Sequence, residues 1–424
     1  MTAFTRRAGQ LFAENVAIDD IARTYGTPVY CYAATQIARN VDHWQQALGA
    51  VLPHDRFTIC YACKANDNLG IMRLMATLGT GADVVSGGEL RRAQRAGIPA
   101  GKTVFSGVGK TADELAAAIE HGIMQINVES MPELEQISAI AAKAGVRVNI
   151  ALRVNPDVDA KTHAKIATGL RGHKFGIDIA DARIAYKKAA QMPSIIPSGI
   201  AIHIGSQLMV LDPYREAFTH LAALVRTLRD DRIDIKTVDL GGGIGIPYGD
   251  ERAPDLHAYA ALIRDIIAPL NTHIVVEPGR ALVGDAGILI TRIIYRKDTA
   301  DGRFIILDAG MNDLIRPALY DAAHRIVPAY LDDQATHDTF DIVGPVCETA
   351  DTFLTAAQLP ATISGGDLMA IMTAGAYGAS MSSTYNTRPL VAEVMVKDNA
   401  TYPLRPRQTI DDLIAADTVP EFLA

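Results

Sequence analysis

The chain has 424 residues, of which 49% are apolar and 21% are charged, and its formal net charge at pH 7 is −8. This length is more than one ordinary core needs, so we expect two domains. The acidic balance argues against a protein that binds nucleic acid or a membrane surface. No apolar stretch is long enough to span a bilayer, and no apolar core follows Arg6-Arg7, so we expect neither a transmembrane segment nor a signal peptide.

Apolar, strand-like segments alternate with helical patterns over the first part of the chain. Residues 213–228 carry apolar side chains at helical spacing, and Thr111 and Ser130, each followed three residues later by a glutamate, predict capping boxes. The alternation predicts a (β/α)8 TIM-type barrel over residues 36–280, and a doubly wound sheet is the alternative because strand count alone does not close a sheet. Eight strands are predicted, at residues 58–62, 82–86, 103–106, 125–128, 149–154, 200–204, 237–240 and 273–276.

After about residue 280 the pattern changes to short strand-like segments separated by turn residues. This predicts a second, mostly β domain over residues 281–424. The extended segment 28–32 precedes the barrel, and we expect residues 1–35 to contribute it as a strand of the second domain. The strands predicted after the barrel lie at residues 288–295, 304–307, 340–343, 368–372 and 391–396.

The four cysteines, Cys31, Cys60, Cys63 and Cys347, do not form a disulfide framework, which fits a reducing cytoplasm. Cys60 and Cys63 form a C-x-x-C pattern. Residues three apart on a strand point to opposite faces, so the two thiols are poorly placed to share a ligand. We therefore expect no metal or redox site there.

Lys64 lies in the segment 61–66, which directly follows the apolar segment 57–60, at the C-terminal mouth of a predicted buried strand. A lysine at such a position loses hydration, which lowers the pKa of its ammonium and favours the free amine as a nucleophile. An amine of this kind forms Schiff bases with carbonyls, and pyridoxal phosphate (PLP) is the commonest carbonyl partner. The alternative is a surface lysine at a strand end.

Three later strand ends carry groups suited to the same ligand, and active sites of such barrels lie at these ends. His203 lies near the end of the sixth predicted strand, 200–204, where alternation predicts that it faces the barrel mouth. Gly241-Gly242-Gly243 follows the seventh and predicts a phosphate-binding turn rather than a dinucleotide fingerprint, because no helix opens there. Glu277 ends the eighth strand; it needs a cation, which a protonated pyridine nitrogen or Arg280 would supply.

Two segments of the predicted β domain are rich in reactive side chains. Cys347 and Glu348 lie side by side in a Pro/Gly loop, and Tyr377 precedes a polar stretch that reaches Arg388. Arg316 and Tyr320 are four residues apart and would share a face if locally helical.

Together these segments resemble the diaminopimelate decarboxylase family, whose members are fold-type III PLP enzymes related to alanine racemase and ornithine decarboxylase. One departure is Thr349-Ala350, where the family usually has Ser-Gly. The resemblance runs in order from about residue 26 to residue 410 and includes the segments 61–66, 86–89, 152–158, 163–169, 203–207, 241–243, 277–280, 347–351 and 375–389.

The resemblance implies a role for each matching residue. Lys64 is expected to bind PLP covalently, with His203 stacked on its ring and Asp83 nearby, and Glu277 to pair with the pyridine nitrogen. Cys347 is expected to protonate the carbanion after CO2 leaves. The phosphate is expected to be bound by Ser206, Gly243, Gly279, Arg280 and Tyr377, the substrate's carboxylates by Arg280, Arg316, Tyr320 and Tyr377, and its distal ammonium by Glu348.

The family's activity is the PLP-dependent decarboxylation of meso-2,6-diaminopimelate to L-lysine, the last step of lysine biosynthesis. The resemblance also implies a cytoplasmic homodimer in which Cys347 and Glu348 reach the partner's active site. The alternative is a related decarboxylase of ornithine, arginine or a D-amino acid. A racemase would place a cation at the pyridine nitrogen, which Glu277 argues against, and a non-catalytic relative would be expected to lose Lys64 or Cys347.

Overall fold

The computed structural model describes residues 3–159, 174–332 and 334–423. The chain divides into two compact units, one formed by residues 1–39, 247–251 and 283–424 and the other by residues 40–246 and 252–282. The predicted segment 163–169 lies outside the described residues. The predicted domain boundaries, after residues 35 and 280, remain predictions.

The second unit is a closed barrel of eight parallel strands, which confirms the predicted fold and excludes the doubly wound alternative. Each strand pairs with the next, and the eighth closes the ring by pairing Ile274–Val276 with Phe57–Ile59. In chain order the barrel strands are Phe57–Ala62, Gly81–Val84, Thr103–Phe105, Gln125–Val128, Val148–Asn155, Ile195–Ala201, Thr237–Asp239 and His273–Val276.

Helices follow the strands in alternation. The predicted helix 213–228 is confirmed as Asp212–Asp230, whose buried apolar stripe includes Phe218 and Leu221. The other α-helices of this part of the chain are Ala34–Gly49, Leu69–Thr77, Gly87–Ala96, Ala112–His121, Met131–Ala144, Ile179–Ala190, Leu256–Leu262 and Arg280–Val283.

The two predicted capping boxes have different outcomes. Thr111 and Glu114 form the complete reciprocal pair at the start of Ala112–His121. At Ser130 the prediction is only half right, since its side chain accepts the N–H of Glu133 but the returning bond is missing. The Glu133 carboxylate instead accepts from the backbone of Glu129 and from the Lys110 ammonium, which lies 2.6 Å away. A buried cation attracts the carboxylate more strongly than an N-cap amide does.

A small apolar cluster lies in the core of the barrel unit. Cys60, Val104 and Val275 pack there with Met124. Cys60 donates to the carbonyl of Lys102 and Cys63 to that of Tyr61, and burial raises the pKa of both thiols well above its usual value. Buried, protonated thiols of this kind are unreactive.

The first unit is built mainly on an extended sheet. Val29–Ala33 pairs antiparallel with Gly287–Asp298 and parallel with Ala392–Lys397, so the segment before the barrel does join the β domain as predicted. The other predicted strands are confirmed as Arg303–Leu307, His337–Val343 and Leu368–Ile371.

Several strands of this unit were not predicted from the sequence. They are short or carry mixed polar and apolar side chains, and the strands they pair with determine their conformation. They are Phe4–Arg7, Gln10–Ala13, Val16–Ala17, Ile326–Pro328, Thr352–Pro360 and Ala400–Arg405. The α-helices Ile18–Tyr25, Arg316–Tyr320 and Ile410–Ile414 also belong to this unit. Among the described residues, no helix is both long enough and apolar enough to cross a membrane.

Candidate active site

Lys64 lies at the C-terminal end of the first barrel strand, in the short turn Cys63–Ala65. Its ammonium is 2.8 Å from a carboxylate oxygen of Asp83, which is fully buried at the end of the second strand. The other oxygen of Asp83 is buried without a hydrogen-bond partner. The apolar environment predicted for Lys64 therefore contains a carboxylate, which holds the lysine side chain in the barrel mouth.

His203 lies in the loop after the sixth strand rather than on it. The strand predicted over residues 200–204 ends at Ala201, because its neighbour offers a ladder partner only as far as Asp239. The Nδ1 atom of His203 accepts the N–H of Gly242 at 3.3 Å. Burial, with the nearby charges of Arg153 and Lys64, holds the pKa of His203 well below its usual value. The ring is therefore neutral and carries its hydrogen on Nε2.

The glycine turn after the seventh strand leaves no room for side chains. Gly241 and Gly243 have φ of 65° and 101°. A Cβ atom on Gly241 would lie 2.4 Å from the carbonyl oxygen of Ile202, and one on Gly242 would lie 2.2 Å from that of Glu277. Only glycine satisfies both the conformation and the packing here.

The loop after the eighth strand closes the same mouth. Gly279 packs against the end of the first strand, where a Cβ atom would lie 3.0 Å from the side chain of Ala62. Arg280 begins the helix Arg280–Val283 and donates to the hydroxyl of Ser206 at 3.2 Å. The predicted Ser206, Gly279 and Arg280 thus lie together in the barrel unit.

Glu277 belongs to a buried polar layer in the upper barrel. The Asn127 amide bridges two carboxylates, lying 3.0 Å from Asp239 and 3.4 Å from Glu277. The Asp239 carboxylate also accepts the N–H of Gly241 at 3.0 Å, and Ser106 donates to Glu277 at 3.4 Å. The hydrogen bonds to Glu277 therefore come from across the barrel, from Asn127 on the fourth strand and from Ser106 after the third.

The two buried carboxyl groups are easier to protonate than ordinary ones. Burial raises the pKa of Asp239 to about 6. Burial, followed by the charges of Asp239 and Asp83, raises the pKa of Glu277 well above its usual value. Because burial disfavours the charged forms, the pair retains a proton more readily than exposed carboxyl groups do, and the layer is suited to a bound cationic group.

This layer predicts how the stability of the cofactor-free protein depends on pH. The pKa of Asp239 rises from 3.8 when unfolded to about 6 when folded, so the folded state binds more protons in that range. The contribution of protonated Asp239 to stability is complete below pH 3.8 and is lost as the pH rises through about 6. A shift of two pKa units corresponds to about 3 kcal/mol in the free energy of unfolding.

The measurement compares melting temperatures of cofactor-free wild type and Asp239→Asn across that range. Asn cannot ionise, so the melting temperature of the variant minus that of the wild type should rise with pH. Glu277→Gln is the matched variant and should show the same direction. A difference that stays constant with pH would contradict a raised pKa at Asp239.

The predicted substrate residues of the β unit occupy two segments. Arg316 begins the helix Arg316–Tyr320, and its guanidinium lies 5.9 Å from the centre of the Tyr320 ring, so the predicted spacing is indeed helical. Tyr377 is half-buried and has a left-handed backbone conformation with φ of 56°.

Cys347 and Glu348 lie in a loop that is held by a neighbouring aspartate. Asp351 accepts the backbone N–H groups of Met311 and Val346 at 2.6 Å each. The thiol-bearing Cys347 is exposed, and Glu348 accepts the hydroxyl of Tyr385 at 2.5 Å. The Thr349-Ala350 departure thus lies in a loop whose Asp351 anchor is in place.

Sequence reasoning missed Asn127 and Asp239. Both are polar residues inside predicted strands, and such a residue signals an inward-facing polar layer when its strand belongs to a barrel. Their contact with Glu277 is not visible in the sequence, because the three residues come from different strands.

A family model and the sequences of known proteins indicate the same family for this chain. The family model described as "Pyridoxal-dependent decarboxylase, pyridoxal binding domain" matches residues 34–284. A diaminopimelate decarboxylase of Zymomonas mobilis is 44% identical over 425 residues, which covers 100% of both chains.

Solved structures agree with this over almost the whole chain. A diaminopimelate decarboxylase from M. jannaschii in complex with L-lysine has a TM-score of 0.95 and 37% identity, and the match covers 100% of this chain and 99% of that one. The Helicobacter pylori enzyme complexed with L-lysine has a TM-score of 0.90 and 41% identity, with 94% and 98% covered.

Proposed function

Because the chain belongs to the diaminopimelate decarboxylase family of pyridoxal-dependent enzymes, we propose that it removes one carboxyl group of meso-2,6-diaminopimelate as CO2 and releases L-lysine, the last step of lysine biosynthesis. The observation that supports this most directly is the barrel mouth, where the Lys64–Asp83 pair and the acidic layer around Glu277 occur in one unit. The protein is a carboxy-lyase that works in the cytoplasm.

The barrel mouth fits PLP. Lys64 supplies the amine that binds the aldehyde, and the orphaned oxygen of Asp83 offers an acceptor beside it. A protonated pyridine nitrogen would neutralise the buried, acidic Glu277–Asp239 pair. When bound, PLP supplies an electron sink for the electron pair that remains after CO2 departs.

The other residues of the barrel unit orient the cofactor. His203 is neutral and flat, so it stacks on an aromatic ring without adding a positive charge. Gly243 offers its backbone N–H to an anion at close range because no side chain intervenes. Ser206, Gly279 and Arg280 bind the phosphate, and the family resemblance adds Tyr377 of the β unit.

Recognition of the substrate requires groups for two amino-acid heads. Arg280, Arg316, Tyr320 and Tyr377 bind the carboxylates, and Glu348 binds the distal ammonium. Arg316 and Glu348 together provide one charge of each sign for the distal head. A substrate without that head leaves these charges unpaired, which costs affinity.

The proton that replaces CO2 comes from Cys347. Its thiol is exposed in the single chain and lies in a loop fixed by Asp351. The family resemblance supports a homodimer in which Cys347 and Glu348 complete the site of the partner subunit.

The test of the function is CO2 release with matching formation of L-lysine from meso-diaminopimelate, compared with ornithine, arginine and D-amino acids. Release from meso-diaminopimelate far above the others is expected. Faster release from ornithine or arginine would contradict the assignment and favour a related decarboxylase.

Arg316→Ala should weaken binding of meso-diaminopimelate far more than it slows the chemical step. The variant removes the partner of a substrate carboxylate at a residue that is only 6% exposed, and loss of such a desolvated pair costs on the order of 2–5 kcal/mol. The measurement is KM and kcat by CO2 release.

Arg303→Ala is the matched control, because Arg303 belongs to the same unit but forms an exposed ion pair with Asp338. It should behave as wild type. Equal turnover of lysine and diaminopimelate by the wild type would show that Arg316 and Glu348 do not recognise the distal head.

A further inference from the structure

His324 is buried in the β unit, with only 1% of its surface exposed. Its Nδ1 lies 2.9 Å from the carbonyl oxygen of Met372, and its Nε2 lies 3.3 Å from Nε of Arg316. A carbonyl only accepts, so Nδ1 carries the hydrogen. A guanidinium only donates, so Nε2 is the acceptor. Both bonds are satisfied only by the neutral imidazole with its hydrogen on Nδ1.

Two aromatic rings lie around the same guanidinium. Its central carbon is 5.2 Å from the centre of the Tyr248 ring and 5.9 Å from that of Tyr320. The Tyr248 ring also packs edge-on against the His324 ring at 5.1 Å. Cation–π contacts favour the position of Arg316 but leave its plane free to rotate, whereas the bond to His324 fixes the direction of Nε.

A carboxylate binds arginine most strongly when two parallel N–H groups face its two oxygens. With Nε directed at His324, a carboxylate is received through the terminal nitrogens. An arginine side chain held in this way loses less rotamer freedom on binding than a mobile one.

We propose that His324 is a positioning residue that orients Arg316 for a ligand carboxylate through the Nε–Nε2 hydrogen bond. This rests on the proposed function, in which Arg316 binds the distal carboxylate of the substrate. L-Lysine keeps that carboxylate, and its analogue 1,5-diaminopentane lacks it.

The test compares two variants that remove the ring equally. The Asn side chain reaches only as far as Nδ1, so His324→Asn keeps the donor to Met372 and loses the acceptor for Arg316. The Gln side chain reaches the position of Nε2, so His324→Gln keeps the acceptor. Dissociation constants of L-lysine and 1,5-diaminopentane are measured on the PLP-loaded protein by calorimetry.

His324→Asn should weaken the binding of L-lysine about tenfold, which is the size of one hydrogen bond to a charged group. The binding of 1,5-diaminopentane should be unchanged. His324→Gln should bind both ligands as the wild type does. Equal weakening of both ligands by His324→Asn, or the same effect from both variants, would assign His324 a packing role only.

The outcomes separate this inference from the proposed function. If the wild type binds 1,5-diaminopentane as tightly as L-lysine, the role of Arg316 in the proposed function fails. If the wild type prefers L-lysine and His324→Asn prefers it equally, the role of His324 fails.

A second measurement is made on the wild type itself. The ring nitrogens of His324 are observed by 15N NMR, with His324→Gln used for assignment. A neutral ring with hydrogen on Nδ1 is expected at neutral pH. An imidazolium, or a ring with hydrogen on Nε2, would overturn the proposal.

Discussion

Replacing Lys64 is expected to abolish both turnover and covalent attachment of the cofactor. The wild type should show an absorbance band at about 420 nm, typical of PLP joined to a lysine. Borohydride reduction should remove the band and leave the reduced cofactor attached to Lys64 as a permanent label. Lys64→Ala should show neither band nor label, and it should release no CO2 from meso-diaminopimelate.

The partner of Lys64 makes the choice of variant important. Asp83 is fully buried and 2.8 Å from the ammonium, so Lys64→Ala leaves a buried carboxylate without its cation. The Lys64 side chain is 35% exposed, so this loss destabilises the fold less than breaking a fully buried pair would. Lys64→Arg keeps the positive charge beside Asp83 but lacks the nucleophilic amine, so it should be as inactive as Lys64→Ala and melt closer to the wild type.

Lys102→Ala is the control for loss of a lysine from the same unit. Lys102 is exposed, and its ammonium donates to the carbonyl of Gly79 at 3.0 Å. This variant should keep the absorbance band and full activity. A yellow, active Lys64→Arg protein would remove the basis for the whole site.

The sequence predicts the barrel well because the barrel depends on local patterns. Each parallel strand is buried on both faces, which makes it a short apolar run, and the polar residues at the strand ends mark the functional edge. Lys64, the glycine turn and Glu277 are predicted in this way. The prediction of His203 uses a partly wrong reason, since the residue lies beyond the end of its strand.

The remainder depends on contacts between distant residues. Asn127 lies 112 positions from Asp239 and 150 from Glu277, and the barrel alone brings their side chains together. His324 is fixed by Met372, which lies 48 positions away on the chain. The strand Thr352–Pro360 is polar at several positions and takes its form from pairing with His337–Val343. Neither spacing nor propensity carries such information.

Mixing two inactive variants should restore activity if active sites are shared between subunits. Lys64→Arg lacks the amine that binds the cofactor. Cys347→Ala lacks the thiol that delivers the proton, a contribution typically worth ~10²–10⁴-fold. Lys64 belongs to the barrel unit and Cys347 to the β unit. If a site combines Lys64 of one chain with Cys347 of its partner, a heterodimer contains one site with both defects and one with neither.

The two variants are co-expressed with different tags, and the heterodimer is isolated by two successive affinity steps. The expected activity per heterodimer is roughly half that of the wild-type dimer, because one of two equivalent sites is intact. Each variant homodimer, purified in the same way, is the control. If every site is built from a single chain, each site of the heterodimer carries one defect and no activity returns. A purified heterodimer as inactive as its parents would refute the shared site, and would place Cys347 at the active site of its own chain or away from catalysis.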